Sequence, residues 1–236
     1  MSQTRTPAVY MRGGTSKGVF FLSQDLPTDP RQRDDLLLRV IGSPDRYGKH
    51  IDGMGGATSS TSKVVIVAPS SRPDCDVDYL FGAVSVVQPV IDWSGNCGNL
   101  SAAVGPFAIH TGLIAAPANG MAMVRIWQAN VGRRILAHVP MRNGDVQETG
   151  DFDLDGVSFP GAEIRLEFLN PSAAEQLFPA GNPMDTLSVP GIGSIAATLI
   201  DAGNPTIFID AGILGLTGTE LPSLVNQDAN LLARAE

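Results

Sequence analysis

The sequence predicts a β-rich α+β fold in which short strands wrap a buried helix, and three observations carry this. Apolar, β-branched runs such as Lys63–Ala68 recur between turn signals. The stretch Leu100–Ile109 is apolar nearly all round, the mark of an enclosed helix rather than a surface one. The 26 glycines and 17 prolines among 236 residues follow no Gly-X-Y period, so they read as many turns. Sheet edges made this way need covering, which favours closed or wrapped barrels.

Taken in order, Val19-Phe20-Phe21-Leu22 reads as a strand after a Gly-rich turn. Arg31–Ile41 spaces Leu36, Leu37, Val40 and Ile41 as a helix does, and Gly42-Ser43-Pro44-Asp45 stops it. Gly53–Ser62 is small and polar, a loop; Lys63–Ala68 is a strand, and Pro69–Asp76 a polar connection. Tyr79–Ile91 reads as one or two strands. After the Gly/Asn turn Ser94–Asn99 comes the buried helix, inside which Pro106 predicts a kink or an early end. Strands follow at Met123–Ala129, Arg134–Pro140, Asp145–Thr149 and Ile164–Phe168. Their turns are Asn130-Val131-Gly132, Asn143-Gly144 and Asp153-Leu154-Asp155-Gly156, and Asn-Gly is a strong hairpin signal. Asn170–Asp185, rich in Pro, Gly and Asn, reads as a boundary between domains 1–170 and 171–236. Ser194–Ile200 and Thr206–Ile209 then read as strands and Ser223–Arg234 as a last helix.

Composition excludes several classes. A net charge of −8 and 6% aromatics disfavour nucleic-acid or anionic-membrane partners. At 43% hydrophobic and 17% charged, the chain is not disordered. Two cysteines cannot build a disulfide framework, Met1–Tyr10 has no signal-like apolar core, and no run of 18 apolar residues occurs. A soluble cytoplasmic protein is expected. His50, His110 and His138 lack metal-ligand spacing, and Asp74, Asp76 and Asp78 lack a calcium-loop pattern, so no metal is expected.

Three segments could carry chemistry. Ser94-Gly95-Asn96-Cys97-Gly98-Asn99 delivers a cysteine to a helix start, where free N–H groups hold carboxylates and favour thiolates. Free cysteines usually only pack, but here the flanks are glycine and asparagine rather than core residues. Thr58–Ser62 puts five hydroxyls before Lys63 at the head of a strand. A desolvated amine there acts as a base and a charged one holds a carboxylate, while a solvated strand-edge lysine is the competing reading. Met11-Arg12-Gly13-Gly14-Thr15-Ser16-Lys17-Gly18 departs from the Walker pattern, because its lysine leads into glycine and a strand. It reads either as a carboxylate-cradling nest or as a tight turn between strands. Gly13–Lys17 is echoed loosely by Gly55-Gly56-Ala57 with Thr61-Ser62-Lys63.

Together, Met11–Gly18, Ile51-Asp52-Gly53-Met54-Gly55-Gly56-Ala57 through Ser62-Lys63, and Asp92-Trp93-Ser94-Gly95-Asn96-Cys97-Gly98-Asn99 resemble the 2-methylaconitate cis–trans isomerase family, a branch of the diaminopimelate epimerase-like fold. Val124–Asn130, Thr149–Phe152, Asp201–Pro205 and Gly218–Leu221 look like that family too. The resemblance implies two β-barrel-like domains, each wrapped round a central helix, with a site in the cleft between them. Family chains continue past the position of Glu236, so the second domain is expected to be incomplete here. Lys63 and Cys97 match the proton-transfer residues, with Arg12, Thr15, Ser16, Lys17, Ser62, Asn96, Gly98 and Asn99 as substrate-binding positions. The implied activity moves a proton on a tricarboxylate without any cofactor, in the methylcitrate cycle of propionate catabolism. Sister branches include 4-oxalomesaconate tautomerases. A non-catalytic tricarboxylate-binding protein supporting an iron–sulfur methylcitrate dehydratase is the reading from another class. The oligomeric state stays open, a homo-oligomer included.

Overall fold

Most of the apolar runs join one mixed sheet that curls round a single helix. The computed structural model describes residues 4–170, 176–203 and 205–235, in two units, Met1–Leu169 and Asn170–Glu236. Part of the expected boundary segment (171–175) and Asn204 of the Asp201–Pro205 motif lie outside the described residues.

The first unit runs β1 (Val9–Gly13), β2 (Ser16–Leu22), α1 (Pro30–Ile41), β3 (Lys63–Pro69), β4 (Val77–Val84), β5 (Ile91–Asp92), α2 (Gly98–His110), β6 (Gly120–Gln128), β7 (Arg133–Arg142), β8 (Asp145–Val146) and β9 (Arg165–Leu169). The strand order is β1-β2-β3-β4-β6-β7-β8, with β5 on β4 and β9 on β7. Strands β2 and β3 are parallel, as are β4 and β6. Helix α2 touches β1 and β2 near one end of this order and β7 and β8 at the other. A sheet can meet one helix from both its ends only by curling around it.

The burial pattern explains why β2 and β3 read as unbroken apolar runs. Phe20, Val65 and Val67 face inward to the cluster that holds Leu100, Val104 and Phe107 of α2. Val19, Phe21, Val64 and Ile66 face outward to Leu37 and Ile41 of α1. With both faces covered, neither side is free to be polar. Helix α1 begins where Asp29 accepts from the Gln32 N–H, with Pro30 at its first position, and ends at Gly42 with φ 86°.

Pro106 does not end α2, which continues to His110. A helix-interior proline costs about 3 kcal/mol, but Leu100, Val104, Phe107 and Ala108 are all buried, and each large apolar side chain returns roughly 1.5–3 kcal/mol. The Asn143-Gly144 turn forms as expected, with φ 55° and 91° between β7 and β8. Strand β8 stops at Val146, short of the expected Thr149.

The second unit holds β10 (Asp185–Val189), β11 (Gly193–Asp201) and β12 (Pro205–Ile209) in one antiparallel sheet, then α3 (Pro222–Gln227) and α4 (Ala229–Ala235). The expected single helix over 223–234 is split because the Asp228 carboxylate caps the second piece, accepting from the Leu231 N–H at 2.9 Å. Among the described residues no helix is long and apolar enough to cross a membrane.

Candidate active site

Lys63 opens β3 in phase with Val65 and Val67, so its side chain belongs to the inner face, toward the start of α2. Cys97 is the N-cap of that helix, its Sγ accepting from the Leu100 N–H at 3.4 Å. Lys63 Nζ donates to Cys97 Sγ at 3.2 Å and to Ser16 Oγ at 3.1 Å. The amine also lies 5.5 Å from the centroid of the Phe81 ring. Asn99 Nδ2 donates to Thr15 Oγ1 at 3.0 Å and to Ser16 Oγ at 3.4 Å. Both hydroxyl lone pairs of Ser16 are thereby engaged, which leaves its O–H as a donor.

The β1–β2 turn reaches this helix start only because it is glycine. A Cβ on Gly13 would stand 2.6 Å from the Asn99 carbonyl oxygen and 2.9 Å from Leu100 Cα. Gly14, at φ 52°, would bring one to 2.5 Å from Asn99 Oδ1. Gly98, by contrast, has room for a Cβ, which would make ordinary contact with Phe168 Cζ at 3.7 Å. As the first two residues of α2, Gly98 and Asn99 carry N–H groups that the helix itself cannot pair. Asn96 Oδ1 is buried with no hydrogen-bond partner among the described residues.

Lys63, Cys97, Ser16, Thr15 and Asn99 therefore form one connected network, with Gly98 and Asn96 flanking Cys97 in the chain. Three of the expected substrate-binding positions lie outside this network. Ser62, one residue before β3, is buried on the side away from Lys63, its Oγ 3.3 Å from His50 Nδ1. Lys17 and Arg12 are cross-strand partners one step out of phase with Ser16, which puts them on the sheet face opposite to it. Lys17 Nζ lies 5.5 Å from the Tyr10 ring centroid, and Arg12 Nη1 donates to the Gly14 carbonyl at 2.8 Å.

Sequence reasoning missed two residues beneath the pair. Tyr79 OH and Ser101 Oγ donate to the Cys97 carbonyl at 3.3 and 2.9 Å. Burial, and then the nearby Cys97, push the Tyr79 hydroxyl far above its ordinary range, so it stays a neutral donor. Tyr79 could have been placed by its alternation with Phe81, and Ser101 by its i+4 spacing from Cys97. Cys75, the other cysteine, is also buried; desolvation, helped by Asp74, raises its thiol. Among the described residues no group of three or more His, Cys, Asp or Glu could hold a metal. A cavity of about 310 Å³ lined by Leu26, Arg33, Ile66 and Leu80 lies on the outer face, away from this network.

A curled sheet round a buried helix, with a thiol capping that helix, defines a protein of the epimerase and racemase fold class. A solved probable proline racemase from Agrobacterium radiobacter K84 shares the fold at a TM-score of 0.54 and 18% identity, over 93% of this chain and 56% of that one. The PrpF protein family matches residues 3–236, and the chain belongs to it. A 2-methyl-aconitate isomerase of Cupriavidus necator is 61% identical over 246 aligned residues, 99% of this chain and 62% of the relative. The crystal structure of a methylitaconate-delta-isomerase superposes with a TM-score of 0.81 at 43% identity, covering 98% of this chain and 59% of that one. The chain thus spans about three fifths of the length of the curated relatives it matches.

Proposed function

We propose that the protein is a cofactor-independent isomerase that interconverts 2-methyl-trans-aconitate and 2-methyl-cis-aconitate, a step of propionate catabolism by the methylcitrate cycle. The observation that carries this is the 3.2 Å contact between Lys63 Nζ and Cys97 Sγ at a helix N-terminus. Rotation about a C=C bond requires it to become single for a moment. Removing a proton from the methylene beside the double bond gives a dienolate, which rotates and takes a proton back at the same carbon. Lys63 and Cys97 between them take and return that proton. Charge developing on the substrate carboxylates meets the Gly98 and Asn99 amides and the Ser16 hydroxyl. No electrons change hands. The 61% identity to the Cupriavidus 2-methyl-aconitate isomerase supports this substrate.

A second reading uses the same dienolate. Reprotonation at the far carbon would shift the double bond instead, and the similarity to methylitaconate-delta-isomerase favours it. Proton NMR with the full-length protein distinguishes these readings. Separate incubations with 2-methyl-trans-aconitate, methylitaconate and 4-oxalomesaconate should show cis–trans conversion of the first as the fastest reaction. Faster turnover of either other acid would reassign the substrate. Tricarboxylate binding with no conversion of any would replace the enzyme by a binding protein.

A further inference from the structure

Two buried hydroxyls from different elements converge on one carbonyl oxygen directly behind Cys97. Ser101 N–H makes the ordinary helical bond to the Cys97 carbonyl at 3.1 Å. Ser101 Oγ adds a second at 2.9 Å, and Tyr79 OH, from β4, a third at 3.3 Å. Both residues are fully buried, at 0% exposure. Buried hydroxyls need partners, but satisfying them does not require that both select the same atom. This atom belongs to the Cys97–Gly98 peptide, whose other end is the first N–H of α2. Hydrogen bonds on a carbonyl polarise the amide and strengthen its N–H as a donor.

We propose that Tyr79 and Ser101 are positioning residues for the reaction. They clamp the Cys97–Gly98 peptide so that Sγ stays against Lys63 Nζ, and they sharpen the Gly98 N–H as a donor to negative charge developing beside it. The inference rests on the proton-transfer role proposed for Cys97. It also explains why the Cys97 carbonyl, already served by its helical bond, holds two further donors. Removing either hydroxyl leaves that carbonyl paired through the Ser101 N–H, so neither substitution strands a buried acceptor.

The test uses Tyr79→Phe and Ser101→Ala in the full-length protein, with kcat, KM and the rate of Cys97 alkylation by iodoacetamide at fixed pH, read by mass spectrometry of the Cys97 peptide. The expected result is a fall in kcat of about 5–20-fold in each variant with KM within about twofold, and Cys97 alkylation slowed about threefold. Wild-type kcat and wild-type alkylation in both variants would overturn the proposal. Cys97→Ala, assayed alongside, keeps the two readings apart. Full turnover in that variant removes the proton-transfer role of the thiol, while alkylation still reports whether the two hydroxyls act on it.

Discussion

Ser16-Lys17 and Ser62-Lys63 are the same dipeptide, each after a Gly-Gly loop and each opening an apolar strand, yet they face opposite ways. In β2 the serine points inward to the start of α2 and the lysine outward beside Tyr10. At β3 the lysine points inward to Cys97 and the serine outward to His50. The parallel pairing aligns Val19 with Val64, so by extension Gly18 sits beside Lys63 and Lys17 beside Ser62. The two dipeptides are offset by one residue, and a one-residue offset inverts every face. Gly18 completes the arrangement: a Cβ there would stand 2.9 Å from the Lys63 carbonyl and 3.2 Å from Lys63 Cβ, in the space the lysine uses to reach Ser16. A strand's phase, more than the residue type, decides which lysine reaches Cys97.

The largest expected effect separates the two lysines. Lys63→Ala should lower kcat by about 10²–10⁴-fold, the usual contribution of a general acid or base, whereas Lys17→Ala should stay within about threefold. Equal losses in steady-state assays would break the comparison. The serines should differ less. Ser16→Ala removes the acceptor that Lys63 and Asn99 share and should lower kcat/KM about tenfold, as loss of one charge-assisted bond predicts. Ser62→Ala should cost about 1 kcal/mol in chemical unfolding with turnover nearly unchanged. Gly14→Ala tests the close approach that brings Ser16 into reach: a side chain at φ 52° against Asn99 should destabilise by about 1–3 kcal/mol, lowering Tm by roughly 2–4 °C per kcal/mol.

The smallest effect is a control on the same sheet, away from both dipeptides. Hydrogen bonding from Arg125 holds the Asp76 carboxyl below its ordinary range and ties the start of β4 to β6. A depressed carboxylate contributes above its unfolded pKa and loses that contribution as pH falls through its folded one. Asp76→Asn should therefore cost about 1 kcal/mol at pH 7 after allowance for partial exposure. The difference from wild type should shrink below about pH 4, with the ratio of Lys63 to Lys17 effects unchanged. Urea melts across pH 3–7 would show it.

The three motifs singled out Lys63, Cys97, Ser16 and Asn99 as candidates, and the fold sets those four side by side. Ser62, Lys17 and Arg12 fall on the other sheet face because motif membership carries no phase; the register of β1, β2 and β3 does. Of the two readings of Met11–Gly18, the tight turn between strands describes its backbone, but the bounds of β1 were out of reach until Val9–Gly13 could be paired residue for residue with Ser16–Phe20. Strand β10, Asp185-Thr186-Leu187-Ser188-Val189, has too few apolar residues to declare itself without its partner β11. Of the kink or early end expected at Pro106, the early end does not occur, because the buried side chains around it hold the helix to His110, and the break at Asp228 was missed because a capping carboxylate looks like any other inside a helical run. Tyr79 and Ser101 lie outside the three motifs; periodicity gives each its face, and the fold brings both to one oxygen.

Deuterium wash-in bears most directly on the pairing of Lys63 with Cys97. With 2-methyl-trans-aconitate in heavy water, the full-length wild type should exchange the substrate methylene, while folded Lys63→Ala and Cys97→Ala should each lose that exchange by about a hundredfold or more. Exchange at the wild-type rate in either variant would contradict the account.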